Sequence, residues 1–245
     1  MLEFIILFFV GVISSFINVN AGGGSSLTLP ALIFLGLDAS VANGTNRIAI
    51  IFQNVSAIYS FKKENYYELK NSMILSLLSL PGALAGAIFA IKISNEMFEK
   101  VLAVIMILII VTMILPQKRE KDVTESYKVD WKVTISMLAI GFYGGFIQVG
   151  VGFLIMALLH NLLKLDLIRV NMHKVFVVFI FTIPTLFVFI LSGNVNWHYG
   201  LILAVGNILG GWWGAKMSVK KGEKFIKAVL IVAILIMAIK LLDII

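Results

Sequence analysis

Cysteine is absent from all 245 residues, which excludes disulfides, thiolate nucleophiles and cysteine metal sites. Charge is scarce too: 13% of the side chains are charged and 60% are hydrophobic, a balance that no soluble globular domain sustains. Acids are the scarcer sign, 13 Asp and Glu against 20 Lys and Arg. The chain has no HExxH, no paired carboxylate set and no nucleophile beside a base, and His160, His173 and His198 make no metal pattern. An enzyme is therefore not expected, nor is a cofactor or a metal. Apolar stretches instead reach the roughly 20 residues that a spanning helix needs, one after another with short polar breaks. An integral, multi-pass protein of the cell membrane follows. Its net charge of +7 sits in loops, where it serves orientation and lipid headgroups rather than nucleic acid.

The chain is organised around Val19-Asn20-Ala21-Gly22-Gly23-Gly24-Ser25-Ser26, which interrupts an apolar run over residues 2–37. Glycine costs roughly 1 kcal/mol in a helix interior relative to alanine, so three in a row predict that one helix stops near Asn18 and another starts near Ser25. Ser25 or Ser26 is expected to cap the second, with Pro30 in its second turn. Non-helical backbone at membrane depth survives only where protein or a wet cavity satisfies it, so the break marks a site. The first segment carries Glu3 and no basic residue at its start, unlike a signal peptide, and is expected to be retained.

Helices are predicted over residues 40–61, 72–91 and 97–115, then a charged connection, a second broken segment over 131–165, and helices over 168–191, 198–217 and 225–242. A shift of 128 positions lays one half on the other: Asn20 on Gln148, Gly22 on Gly150, Gly24 on Gly152, Asp38 on Asp166, Asn43 on Asn171, Gly82 on Gly210 and Gly86 on Gly214. One offset serving glycines, amides and charges in separate regions is an internal repeat. Residues 1–115 form a first transmembrane repeat, 116–130 a connecting loop and 131–245 a second repeat. Paired interrupted hydrophobic segments point to a transporter's binding site. The spacing of Gly82 and Gly86, and of Gly210 and Gly214, predicts close helix packing.

Charge asymmetry separates two topologies. If all eight segments span, basic residues divide almost evenly between the faces. If each broken segment enters and leaves on one side as a re-entrant hairpin, 16 of the 20 Lys and Arg share a face, and only Arg47, Lys92, Lys100 and Lys240 lie opposite. An excess of Lys and Arg marks the cytoplasm, so re-entrant hairpins with both termini outside are favoured. Each repeat then crosses an odd number of times, and the two are inverted. The fold class is all-α, with two inverted repeats, each a glycine-broken hairpin plus three spanning helices.

Arg47 and Lys174 lie within predicted helices at nearly matching positions. A cation at the bilayer centre costs from about 2.5 to more than 10 kcal/mol, so it is paired, snorkels or serves a function. Asn43, Asn46 and Arg47 in one repeat, with Asn171, His173 and Lys174 in the other, place cations beside amides that can orient an anion. Gln53 and Asn54 read as interhelical hydrogen-bonding groups. Asn20 and Gln148 stand at the entrances of the breaks, where a half-helix N-terminus presents N–H groups and positive dipole to an anion. Gly22, Gly23, Gly24, Ser25, Gly150 and Gly152 complete the predicted substrate-binding set.

The glycine triplet at Gly22 to Gly24, Pro30, Leu35-Gly36-Leu37, Ala42 and Thr45-Asn46, together with Gly141 to Lys174, resembles the sulfite exporter TauE/SafE family over nearly the whole chain. The second repeat departs from that pattern at Phe153, Leu154 and Leu158. The resemblance implies a membrane transporter of small sulfur-containing or organic anions. The residues and the resemblance together lead to a transporter that binds a small oxyanion near midplane between two hairpin tips. Its expected partners are that anion and the lipid bilayer, with a homo-oligomer open. An uncoupled channel and a non-transporting scaffold or signalling protein remain the alternatives.

Overall fold

The computed structural model describes residues 2–102, 104 and 129–241. Its elements are α1 (Leu2–Ala21), α2 (Ser25–Phe34), α3 (Ala39–Lys63), α4 (Leu69–Ala90), a helical start at residues 95–102 (α5), α6 (Trp131–Phe146), α7 (Val151–Leu162), α8 (Leu167–Leu191) and α9 (Trp197–Leu241). α9 is two helices in series, because Gly222 adopts φ 69° and ψ −167° between them. The predicted helix over 97–115 and the connection over 116–130 fall mostly outside the described residues. The offset of 128 recurs in the helix limits: α3 maps onto α8 at both ends, and Leu69 at the start of α4 maps onto Trp197 at the start of α9.

α1, α4 and α8 are long and apolar enough to cross a membrane. α3 matches them in length but carries Asn43, Thr45, Asn46, Arg47, Gln53 and Asn54, all buried, so this polar face turns into the bundle while Phe52, Val55 and Tyr59 face outward. The outer helices turn apolar stripes outward, including Leu201, Val205, Ile208 and Leu209 on α9. Residues at i, i+4, i+7 and i+8 share a helix face, and lipid is the solvent such a face suits.

Packing exchanges partners between the halves: α1 and α3 lie on α9, whereas α6 and α8 lie on α4. Glycines permit both contacts. A Cβ at Gly210 would sit 2.1 Å from the carbonyl oxygen of Val12, and one at Gly82 would sit 2.0 Å from that of Leu138. Successive contacts also fix direction. Gly206 meets Phe8, Gly210 meets Val12 and Gly214 meets Phe16, so α1 and α9 run parallel. Gly141 meets Ser79 and Gly145 meets Ala83, so α4 and α6 do the same. α3 and α8 run antiparallel, with Gly44 against Asn194 and Arg47 bonded to Thr185.

Two ends of the bundle result. At one, Tyr199 Oη donates to Glu3 (3.3 Å), Ser40 N–H to Asn95 Oδ1 (3.2 Å) and Asn196 N–H to Thr45 Oγ1 (2.9 Å). At the other, Arg169 Nε lies 3.6 Å from Glu68, and Leu167 N–H donates to Glu223 Oε1 (3.1 Å). α1 and α3 both start at the first end, so α2 brings the chain back towards the end from which α1 set out.

Candidate functional site

The two helix breaks meet in the middle of the bundle. The first turns at Gly22, with φ 89°. α1 continues to Ala21, three residues beyond the expected stop, because glycine is not reached until Gly22. Neither serine caps α2. Gly24 is the N-cap residue, Ser26 Oγ donates back to the Gly23 carbonyl (2.6 Å), and Ser25 Oγ accepts from Asn46 Nδ2 (3.3 Å). Asn18 takes the capping role instead, its Oδ1 accepting from Gly24 N–H at 3.2 Å. The second break covers residues 147–150, with left-handed Gln148 (φ 65°) and Gly150 (φ 70°). Gly144 and Gly145 stay helical, and the missing side chains let α6 close on α4 and on Phe181.

Between the breaks lies a cavity of about 10 Å³, room for about one water. Asn18 and Ser25 line it from the first break and Gln148, Val151 and Gly152 from the second; Ile50, Gln53 and Asn54 come from α3, and Lys174, Val175 and Val178 from α8. Ser25 and Val151 are the first residues of α2 and α7, so both short helices begin at the cavity. Among the described residues of the lining, Lys174 is the only ionisable one. An amide chain runs through it: Asn18 Nδ2 donates to Gln53 Oε1 (3.2 Å), and Gln53 Nε2 donates to Asn54 Oδ1 (3.4 Å). That leaves Asn54 Nδ2 without a partner among the described residues. Gln148 Nε2 donates to Thr182 Oγ1 (3.0 Å), and its Oε1 is likewise unpartnered.

Four members of the predicted set thus reach the cavity: Ser25, Gln148, Gly152 and Lys174. Neither predicted cation snorkels, since Arg47 is 0% exposed and Lys174 2%. Lys174 Nζ donates to the carbonyls of Asn18 (3.0 Å) and Val19 (2.7 Å) and to Asn171 Oδ1 (2.7 Å). Arg47 lies away from the cavity and serves the other break, donating to the carbonyls of Gly144 (3.4 Å) and Gly145 (2.5 Å) and to Thr185 Oγ1 (2.9 Å). Its guanidinium also lies 4.6 Å from the Phe189 ring centroid. Asn43 Nδ2 donates to the Phe146 carbonyl (2.8 Å), and Asn171 Nδ2 to the Asn20 carbonyl (3.4 Å). Each half therefore uses one cation and one amide to hold the C-terminal carbonyls of the other half's broken helix. Those carbonyls stand at helix C-termini, where intrahelical donors run out and the negative end of the dipole lies, although the Asn18 carbonyl also accepts from Gly22 N–H at 2.8 Å.

The remaining predicted residues spread outward. Asn20 Nδ2 holds the carbonyls of Phe16 (2.9 Å) and Gly214 (3.3 Å). His173 Nδ1 pairs with Ser72 Oγ (2.8 Å), and its Nε2 lies 3.8 Å from Glu68, towards the second end of the bundle. Gly22 packs on Gly152, and Gly23 and Gly24 complete the turn. The sequence reading missed Asn18 in the cavity lining and gave Gln53 and Asn54 a packing role only. Asn18 lies four residues before Gly22, one helical turn ahead of the break, and that spacing was the available signal.

A profile of the sulfite exporter TauE/SafE family matches residues 7–241. The chain is 29% identical over 237 residues to the probable membrane transporter protein ORF9 of Sinorhizobium sp, covering 96% of this chain and 91% of that one. It is 27% identical over 241 residues to the probable membrane transporter protein YfcA of Escherichia coli K12, covering 97% and 88%. With the probable membrane transporter protein YunE of Bacillus subtilis it shares 24% identity over 267 residues, covering 98% of each. No solved structure matches the chain. A profile that spans the chain from α1 to the end of α9 shows that this multi-pass membrane protein belongs to the sulfite exporter TauE/SafE family of transporters.

Proposed function

We propose that the protein carries a small oxyanion, such as a sulfite-like ion, a sulfonate or a short organic acid, through the cavity between the two helix breaks. One observation carries this reading: the N-terminal residues of α2 and α7 and the Lys174 side chain share a cavity with no carboxylate among the described residues of its lining. Each half-helix start supplies roughly half a positive charge, and Lys174 adds a full one, so the local field selects an anion. Asn54 Nδ2 offers the ligand a hydrogen-bond donor, and Gln148 Oε1 an acceptor for a protonated oxygen. Arg47, Asn43, Asn46, Asn171, Asn20 and His173 act one step removed, by fixing the backbone of the breaks and the helices around them.

α1–α2 and α6–α7 are re-entrant hairpins of two inverted repeats, each reaching the cavity from its own side of the membrane. The antiparallel crossing of α3 and α8, the parallel runs of α1 with α9 and α4 with α6, and the exchange of packing partners support this. The loops near Lys62, Lys70, Lys164 and Lys221 share one end of the bundle with Glu68 and Glu223, and a basic end of this kind faces the cytoplasm. The cavity in this structure is too small for an oxyanion, so binding requires the two tips to part on one side at a time.

The test is direct binding to the purified protein of sulfite, sulfate, thiosulfate, sulfoacetate and short carboxylates, in chloride-matched buffer. One or more of these anions is expected to raise the melting temperature, and ammonium and sugar controls are not. Stabilisation by none of them, or by uncharged analogues equally, would refute an anion site.

A further inference from the structure

The Lys174 ammonium does not point into open space. Its three N–H groups meet three oxygens at 2.7–3.0 Å, the carbonyls of Asn18 and Val19 and the Oδ1 of Asn171, and Met156 Sδ lies 3.5 Å away. An ammonium has three donors, so this cage saturates it. The Asn18 carbonyl already accepts from Gly22 N–H at 2.8 Å, and its second lone pair goes to Lys174. The Val19 carbonyl stands at the end of α1, where a continuing helix would have supplied an N–H and the glycine turn supplies none in register. Broken-helix carbonyls joined by a side-chain amide oxygen form the kind of cage in which ion-coupled transporters hold a small cation. All three oxygens are neutral, so the cage suits one positive charge, and hard oxygen ligands suit an alkali or ammonium ion rather than a soft metal.

We propose that the Lys174 ammonium occupies a built-in monovalent cation site at the broken end of α1, a tethered cation in place of a freely exchanging one. It holds the first hairpin tip in register with α8 without any ion from solution, so the protein needs no sodium to keep its site assembled. Arg47 does the equivalent at the broken end of α6, where a fork that spans two successive carbonyls is required. The assignment rests on the transport reading for its meaning, since only a transporter would otherwise draw a coupling ion there. The cage itself is independent of what the cavity binds.

Lys174→Ala removes the tether and leaves the oxygens. The expected result is that this variant, purified in N-methylglucamine chloride, melts below the parent and gains about 2 °C or more when sodium, ammonium or methylammonium chloride replaces that salt at equal ionic strength. Radiolabelled sodium is expected to bind Lys174→Ala and to be competed off by methylammonium, and not to bind the parent. Lys174→Met, which fills the same space without charge, is expected to respond to none of these salts. A parent protein that sodium stabilises as strongly as the variant, or a Lys174→Ala variant that no small cation stabilises or recovers, would overturn the assignment. Neither readout involves the transported anion, so failure of the anion screen and failure of the cation site are separate results.

Discussion

Gly22 and Gly152, 130 residues apart, touch so closely that a Cβ on Gly22 would lie 2.4 Å from the carbonyl carbon of Gly152, and one on Gly152 would lie 2.4 Å from the Cα of Gly22. The contact joins the two breaks backbone to backbone. Two tips that meet without side chains can part and re-form with little rearrangement, which suits a gate better than interlocked side chains would.

Substitution at this contact is expected to damage the closed state. Gly152 has ordinary helical φ, so Gly152→Ala tests close approach alone. Gly22→Ala adds the strain of a left-handed conformation, roughly 1–2 kcal/mol. Gly36→Ala is the matched control, since Gly36 has φ 88° and nothing within 4 Å of its added Cβ. Transport and melting temperature are expected to fall for Gly22→Ala and Gly152→Ala by clearly more than for Gly36→Ala. Equal losses for Gly22→Ala and Gly36→Ala would assign the cost to φ and not to the tips.

Arg47→Ala is expected to destabilise the protein strongly, because it strands the Gly144 and Gly145 carbonyls in a buried site, at about 1–3 kcal/mol for each unsatisfied group. Arg47→Lys keeps the charge and loses the fork, so it should fall between the two. Thermal melts in detergent decide this. An Arg47→Ala variant that melts with the parent would mean that water replaces the guanidinium, contrary to its complete burial.

Asn54→Leu and Gln148→Leu are expected to weaken anion binding about tenfold each, the worth of a hydrogen bond to a charged group, and to lower the melting temperature by about 2–4 °C. The thermal loss follows from one buried hydrogen bond each, Gln53 Nε2 to Asn54 Oδ1 and Gln148 Nε2 to Thr182 Oγ1, whereas the loss of affinity follows from Asn54 Nδ2 and Gln148 Oε1, which have no partner among the described residues. Titration calorimetry with the anion found by the screen checks it. Unchanged affinity in both variants would move the site away from the cavity.

The orientation prediction uses the absence of cysteine. Single cysteines at Lys63 and at Lys92 are expected to react oppositely with a membrane-impermeant maleimide applied to whole cells, Lys92→Cys labelled and Lys63→Cys protected. The reverse pattern would turn the bundle over in the membrane, with the basic end outside.

Much of the architecture was legible in the residues because membrane helices obey strong one-dimensional rules. Hydrocarbon tolerates no unpaired backbone, so apolar length marks the spans and three glycines mark the break. The 128-residue offset then located the second break from the first, even though Phe153 and Leu154 hide it. What the sequence by itself could not determine was the partner of each buried polar group. Arg47 and Lys174 looked equivalent, two cations at nearly matching positions, yet only Lys174 lines the cavity while Arg47 holds the carbonyls of Gly144 and Gly145. The position of Asn18, one turn ahead of the glycines, marked it as near the break but did not say that it would cap α2 and line the cavity at once. Those outcomes depend on which helix end comes within hydrogen-bond reach, between residues about 100 to 150 positions apart. Helix packing across the two halves sets that distance, and only the tertiary structure decided it.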